Sequence, residues 1–177
     1  MKKSSLKNTL VDTIFLMRTI LFGLIISCIF MACSTNEKVE SGVISTQEEA
    51  DVRSVLLSYK NGIEQLSSEG MAELFYDDSK IYESGGDEGT FEHYMNHHLA
   101  PELELFESFK FENHHIEVKV DLPYAFTTET YSFRIVLKEN SKVIERYGVA
   151  TSVLKTEKGK WKILKTHSSS RAISANH

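Results

Sequence analysis

The chain has 177 residues, of which 41% are hydrophobic and 25% charged, with a formal net charge of −5. That composition excludes a disordered tail and leaves room for one domain around a single core. The acidic balance argues against nucleic acid as a partner, since phosphate-backbone binding needs clustered Lys and Arg. Both cysteines, Cys28 and Cys33, lie near the start, so a disulfide within the domain is excluded.

Lys2 and Lys3 open a basic start, and Thr19–Ala32 follows as a charge-free apolar run of 14 residues. A bilayer span needs roughly 18–20 residues, so this length suits a secretory signal. Phe30-Met31-Ala32-Cys33 resembles a lipobox, whose cysteine is acylated and becomes the new N-terminus. Ala32 fits that pattern, whereas Phe30 and Met31 depart from the usual Leu and small residue. Ile25-Ile26-Ser27-Cys28 fits it locally, but cleavage there would leave Ile29–Ala32 on the mature end. An uncleaved apolar anchor with incidental cysteines is the alternative. The expected organisation is therefore a signal peptide over 1–32, a lipidated Cys33 with a polar tether over 33–45, and a domain over 46–177. The domain is expected in the cell envelope, outside the cytoplasm, held at a membrane through Cys33. Residues 1–32 hold four cations against one anion, so their removal takes the net charge from −5 to about −8.

Thr46-Gln47-Glu48-Glu49 reads as a capping box, and Val52, Val55, Leu56, Tyr59, Ile63 and Leu66 recur at helical spacing behind it. Ser68 is placed to cap a short second helix carrying Met71, Leu74 and Phe75, with a brief strand at Ser79–Ser84 and a glycine-rich turn after it. Thr90 caps a third helix that ends before Pro101, with Phe91, Tyr94, Met95 and His98 on one face and His93, Asn96 and His97 on the other.

Four long strands follow. Phe109 and Phe111 have the opposite parity to Ile116, Val118 and Val120, which predicts a bulge near Asn113-His114-His115. Ala125, Tyr131, Phe133, Ile135 and Leu137 share a face in the next strand; Tyr147, Val149, Thr151 and Val153 are expected inward in the third, and Trp161, Ile163, His167 and Ser169 in the fourth. Lys155, Lys158, Lys160, Lys162 and Lys165 read as the solvent face of the last hairpin. Helices first and antiparallel strands afterwards predict an α+β domain with the helices on one side of a curved sheet.

The layout resembles the NTF2-like superfamily, in particular its SnoaL-like and DUF4440-type branches. The resemblance is carried by the opening helix, by Met71-Ala72-Glu73-Leu74-Phe75-Tyr76-Asp77-Asp78, by Gly89-Thr90-Phe91-Glu92-His93-Tyr94, and by the closing strands around Gly148–Thr151 and Trp161–Ser169. It covers nearly all of Thr46–Arg171, with one departure: Ser67-Ser68-Glu69-Gly70 stands where such domains often carry an Asp. The family implies a cone-shaped sheet, closed by helices, around a pocket. Its members include isomerases, dehydratases, cyclases and non-catalytic binding or dimerising modules, so the fold alone does not decide the chemistry.

Glu129 shares a face with Tyr131, Phe133 and Ile135, where a carboxylate is costly unless paired, hydrogen-bonded or protonated. His167 is expected beside Trp161 and Ile163, His98 within the third helix's apolar stripe, and Glu83 beside Ile81. The candidate pocket residues are thus Tyr59, Glu83, His98, Glu129, Tyr131 and His167, with His167 and Glu129 as candidate catalytic groups. A core hydrogen bond between Glu129 and His167 is the plainer alternative. Tyr82 and Tyr94 are further possible hydroxyl donors. His93 and His97 have a spacing that helical metal ligands can use, but on the wet face, so neither a metal nor a cofactor is assigned. Three readings remain: a domain binding a small, largely apolar molecule without transforming it; a lyase or isomerase using general acid–base chemistry; and a homodimeric interaction module pairing through the open sheet face. A solvent-reachable polar cluster in a hollow favours the first two, and a filled cavity the third.

Overall fold

The computed structural model describes residues 36–173, with side chains from Thr46 onward. The segment expected to be a signal peptide, Cys33 and the last four residues lie outside it. Helix α1 (Asn36–Glu64) is already helical at Thr46, so the capping box sits within the helix and not at its start. Among the described residues no helix is long and apolar enough to cross a membrane. Residues from Ser45 onward form one compact unit.

Along α1 the expected stripe is the buried one: Val52, Leu56 and Ile63 are sealed, with Val55, Tyr59 and Leu66 packed against the same core. A 3-10 turn (Met71–Leu74) follows, with left-handed Gly70 at its N-cap position instead of Ser68. Strand β1 (Phe75–Glu83) begins four residues before the expected Ser79 and turns back through β2 (Gly86–Gly89). Thr90 caps the next helix as expected, accepting from the His93 N–H, while buried Ser79 accepts from Phe91 N–H and ties that helix to β1.

That helix does not end before Pro101. Its first piece, α2 (Phe91–Tyr94), passes through one π turn (Met95–Leu99) into α3 (Ala100–Leu105). Pro101 falls in the first turn of α3, where its missing N–H costs little. The wide turn just before it absorbs the change of hydrogen-bond register.

The sheet has the order β2-β1-β6-β5-β4-β3, with β3 (Phe106–Asp121), β4 (Tyr124–Leu137), β5 (Val143–Glu157) and β6 (Lys160–Ala172) antiparallel and β1 parallel to β6. The bulge expected near Asn113 is present: pairing slips between Glu112 and His115, and Asn113 takes a left-handed φ of 51°. A second bulge was not foreseen. Val153 pairs with Lys165 but Leu154 pairs with Ile163, so Leu164 is an extra residue in β6. Every side chain after it changes face.

At the closed end, Leu154, Phe75 and Ile163 are almost wholly buried, and Phe75 stacks on Phe91 at 3.7 Å with Tyr59 edge-on to both rings. Helix α1 is also clamped to β3 by polar bonds on either side of the first bulge. Arg53 donates to the Ile116 carbonyl at 2.6 Å, and Glu64 accepts from Phe111 N–H at 2.8 Å. The bulge is therefore held from both flanks, and with it the direction of His114.

A buried acid and imidazole in an aromatic-walled cavity

Above the sealed end the sheet and α1 diverge around a cavity of about 440 Å³. Its floor can be read from strand register. Thr127, Ser152, Thr166 and Ile81 form one row across β4, β5, β6 and β1; Glu129, Ala150, Ser168 and Glu83 form the next. Tyr131, Gly148 and Ser170 come third, then Phe133 and Arg146. The backbone positions of the two acids in the second row lie three strands apart, ~14 Å at the usual interstrand spacing. Only the small Ala150 and Ser168 stand between them, which leaves the volume above open.

Glu129 is deep in this cavity, and the His114 imidazole meets its carboxylate at 2.8 Å, both side chains nearly buried. Burial raises the Glu129 pKa, and the hydrogen bond and charge of His114 offset part of that rise. Aromatic rings enclose the pair: Tyr131 is edge-on to Phe111 at 5.0 Å and lies 5.9 Å from His114. Burial also lifts the Tyr59 and Tyr131 phenols well above their ordinary values, with Glu83 and Glu129 adding to it, so both remain neutral O–H groups. Neither hydroxyl has a partner among the described residues, and both line the cavity.

Glu83 lines the far side and accepts from Tyr94 O–H at 2.8 Å. His98 stands behind it, 3.9 Å from Glu83 and 3.4 Å from both Glu88 and Glu102. Burial alone would lower the His98 pKa, but Glu102, Glu83 and Glu88 together outweigh it and hold it above the ordinary value. Burial raises Glu102, against the pull of His98. Among the described residues no cluster has the makings of a metal site.

Of the six residues anticipated for the pocket, Tyr59, Glu83, Glu129 and Tyr131 line it, and His98 contacts it through Glu83 and Glu102. His167 does not. The Leu164 bulge turns it to the outer face, where it is exposed, and Thr166, Ser168 and Ser170 face inward in its place. It therefore forms no core bond with Glu129. The face assigned to β5 is likewise reversed: Ile144, Arg146, Gly148, Ala150 and Ser152 face in, while Tyr147, Val149, Thr151 and Val153 face out. An open cavity does not demand apolar lining, so apolarity pointed to the wrong side.

His114 and Arg146 were missed. His114 has the parity of Ile116 and Val118, so the foreseen bulge already implied that it turns inward. The β6 bulge also has a trace, because the outward lysines change parity between Lys162 and Lys165. Tyr82 does not line the cavity, and His93 and His97 are exposed as expected. Lys158, Lys160 and Lys162 border a second, more open depression of about 500 Å³, interleaved with Asp77, Asp78 and Glu157.

The model of the SnoaL-like domain family matches residues 52–173. Several solved structures share the fold. A candidate scytalone dehydratase from Novosphingobium aromaticivorans is 15% identical, with 78% of this chain and 92% of that chain covered at a TM-score of 0.63. The hexachlorocyclohexane dehydrochlorinase LinA-type3 from Novosphingobium barchaimii is 18% identical, covering 75% and 94% at 0.59. A nuclear transport factor 2-like superfamily protein from Salmonella enterica serovar Typhimurium is 13% identical, covering 77% and 96% at 0.61. Among curated proteins none matches the sequence.

Proposed function

The chain belongs to the SnoaL-like family of the NTF2-like superfamily, and from that premise we propose that its cavity binds a small, largely apolar molecule oriented by the Glu129–His114 pair. The single observation that carries this is a nearly buried carboxylate–imidazole contact at 2.8 Å, flanked by aromatic rings, inside a hollow of about 440 Å³. That volume lies within the range of small-molecule sites, and few but convergent polar groups are what fix a ligand's orientation there.

The test is native mass spectrometry of the full-length chain released from detergent, beside Ala150→Phe, which fills the floor between Glu129 and Ser168. The wild type is expected to carry a small non-covalent mass, or to take up naphthalene, and Ala150→Phe to do neither. An empty wild type that also refuses naphthalene overturns the reading.

A second reading, acid–base catalysis by a lyase or isomerase, is favoured by the same pair. A carboxyl group whose pKa is raised by burial is a better base once ionised, and His114 can share its proton. Two of the similar structures are named for elimination chemistry, a dehydratase and a dehydrochlorinase. Turnover lost with affinity retained in Glu129→Gln and His114→Ala separates catalysis from binding. The domain is further proposed to ride on a lipid anchor at Cys33, which supports a place at the cell envelope. Incorporation of an alkyne-tagged palmitate analogue, abolished by Cys33→Ser, tests that.

A further inference from the structure

The cations of the sheet have differing fates. Arg134 reaches Glu145 at 3.5 Å among exposed side chains, and Arg171 lies over the Tyr147 ring. At the cavity wall Lys60 is paired with Glu64 at 2.8 Å. Arg146 differs from all of these. It lines the cavity, half-buried, and has no carboxylate at ion-pair distance among the described residues.

Its guanidinium is nevertheless held. Nε donates to Ser170 Oγ at 2.8 Å, and one terminal nitrogen donates to the Ser170 carbonyl at 2.8 Å. These two bonds occupy one edge of the planar fork. The adjacent end-on edge, formed by the two terminal nitrogens, is left for a second partner, and that edge matches a carboxylate bidentately. Ser168, two residues along the same face of β6, adds a hydroxyl to the cavity wall.

Arg146 is opposite Phe133, whereas Glu129 is opposite Ala150. Four residues of strand separate the two positions, ~13 Å. Exposure along the inward face of β5 rises from Leu154 through Ala150 to Arg146, which puts the arginine toward the open end. Besides Glu83 on its far side and the Glu64-paired Lys60, the cavity thus carries an acid–imidazole pair deep inside and a prearranged cation near the entrance, with Tyr131 in the row between them and Phe133 opposite the cation.

We propose that Arg146, fixed by Ser170, is an anion subsite, and that the ligand is an amphipathic carboxylate whose apolar body lies along Tyr131 and Phe133. The proposal rests on the cavity being a ligand pocket. A neutral apolar ligand would leave a half-buried guanidinium desolvated without a counter-charge, which is unfavourable. A carboxylate at the free edge removes that cost and leaves Glu129 far from the added negative charge.

The probes are 4-phenylbutyrate and its neutral isostere 4-phenylbutyramide, titrated calorimetrically into the full-length chain in detergent, with protein-free micelles as the blank. The wild type is expected to bind the carboxylate at least tenfold more tightly than the amide. Arg146→Met should abolish the preference while holding amide affinity within about twofold, and Arg146→Lys should retain part of it. Amide binding by Arg146→Met shows that the variant is folded, and the partial preference of Arg146→Lys tests the charge independently. Equal affinity of the wild type for both probes, or a preference that survives Arg146→Met, overturns the subsite alone. Failure of the wild type to bind either probe overturns the subsite and the pocket reading together.

Discussion

Gly148→Ala tests the reversed face of β5 most directly. A Cβ there would lie 2.3 Å from Tyr131 Cε2, 2.8 Å from Cζ and 2.9 Å from Cδ2. Carbon atoms rest at roughly 3.5–4.0 Å, so the ring must retreat by about 1 Å or more. Phe111, His114 and Phe133 surround it at centroid distances of 5.0, 5.9 and 6.2 Å, which leaves the cavity as the open direction. Overpacking of this kind costs about 1–3 kcal/mol. Loss of the edge-on contact with Phe111 adds about 0.5–1.5 kcal/mol. Against this, replacing a strand glycine whose backbone tolerates alanine returns about 0.4–1 kcal/mol. The expected net loss is about 2 kcal/mol, which with a urea dependence of about 1–3 kcal/mol per molar is a midpoint shift on the order of 1 M. The same measurement in a Tyr131→Ala background removes the collision, and there Gly148→Ala should be neutral or slightly stabilising. An equal cost in both backgrounds would refute the packing argument, and with it the placement of β5's small residues against the cavity.

Four further outcomes follow from these placements. His114→Ala leaves the Glu129 carboxyl without its partner, so it should cost about 1–3 kcal/mol in urea unfolding, more than Glu129→Gln, which keeps a hydrogen-bonding group. Because burial raises the Glu129 pKa in the fold, the native state holds its proton longer than the unfolded chain. Its contribution is therefore present below the unfolded value of about 4.3 and is lost as pH rises through the folded one; urea midpoints from pH 4 upward should fall less steeply in Glu129→Gln. The raised His98 pKa has the same sign in a higher window: stability present below about 6.5 fades as pH rises past the folded value, and His98→Gln should flatten that slope. An NMR titration placing the His98 ring at or below 6.5 would contradict it. Exposed His167, by contrast, should tolerate alanine within about 0.5 kcal/mol and with unchanged probe affinity.

How much of this was legible in the sequence differs by element. Val52, Leu56, Tyr59 and Ile63 fixed the buried face of α1 through a spacing that only a helix satisfies. The odd residues Glu129, Tyr131, Phe133 and Ile135 placed one wall of the cavity correctly, because β4 carries no bulge. Glu129 was recognisable by itself, as a carboxylate within an apolar stripe.

Where strand patterning failed, the reason is geometric. A strand's side chains have a period of two, so one inserted residue exchanges the inner and outer sets for everything beyond it. Leu164 did this to β6, taking His167 out and bringing Ser168 and Ser170 in. On β5 the failure was different: the space opposite Tyr131 admits nothing larger than Gly148, so the inward face is the less apolar one. The order of elements and their family are properties of the chain's local pattern. The meeting of His114 with Glu129, and of Arg146 with Ser170, depends on pairings between distant strands, and those are decided only when the sheet closes.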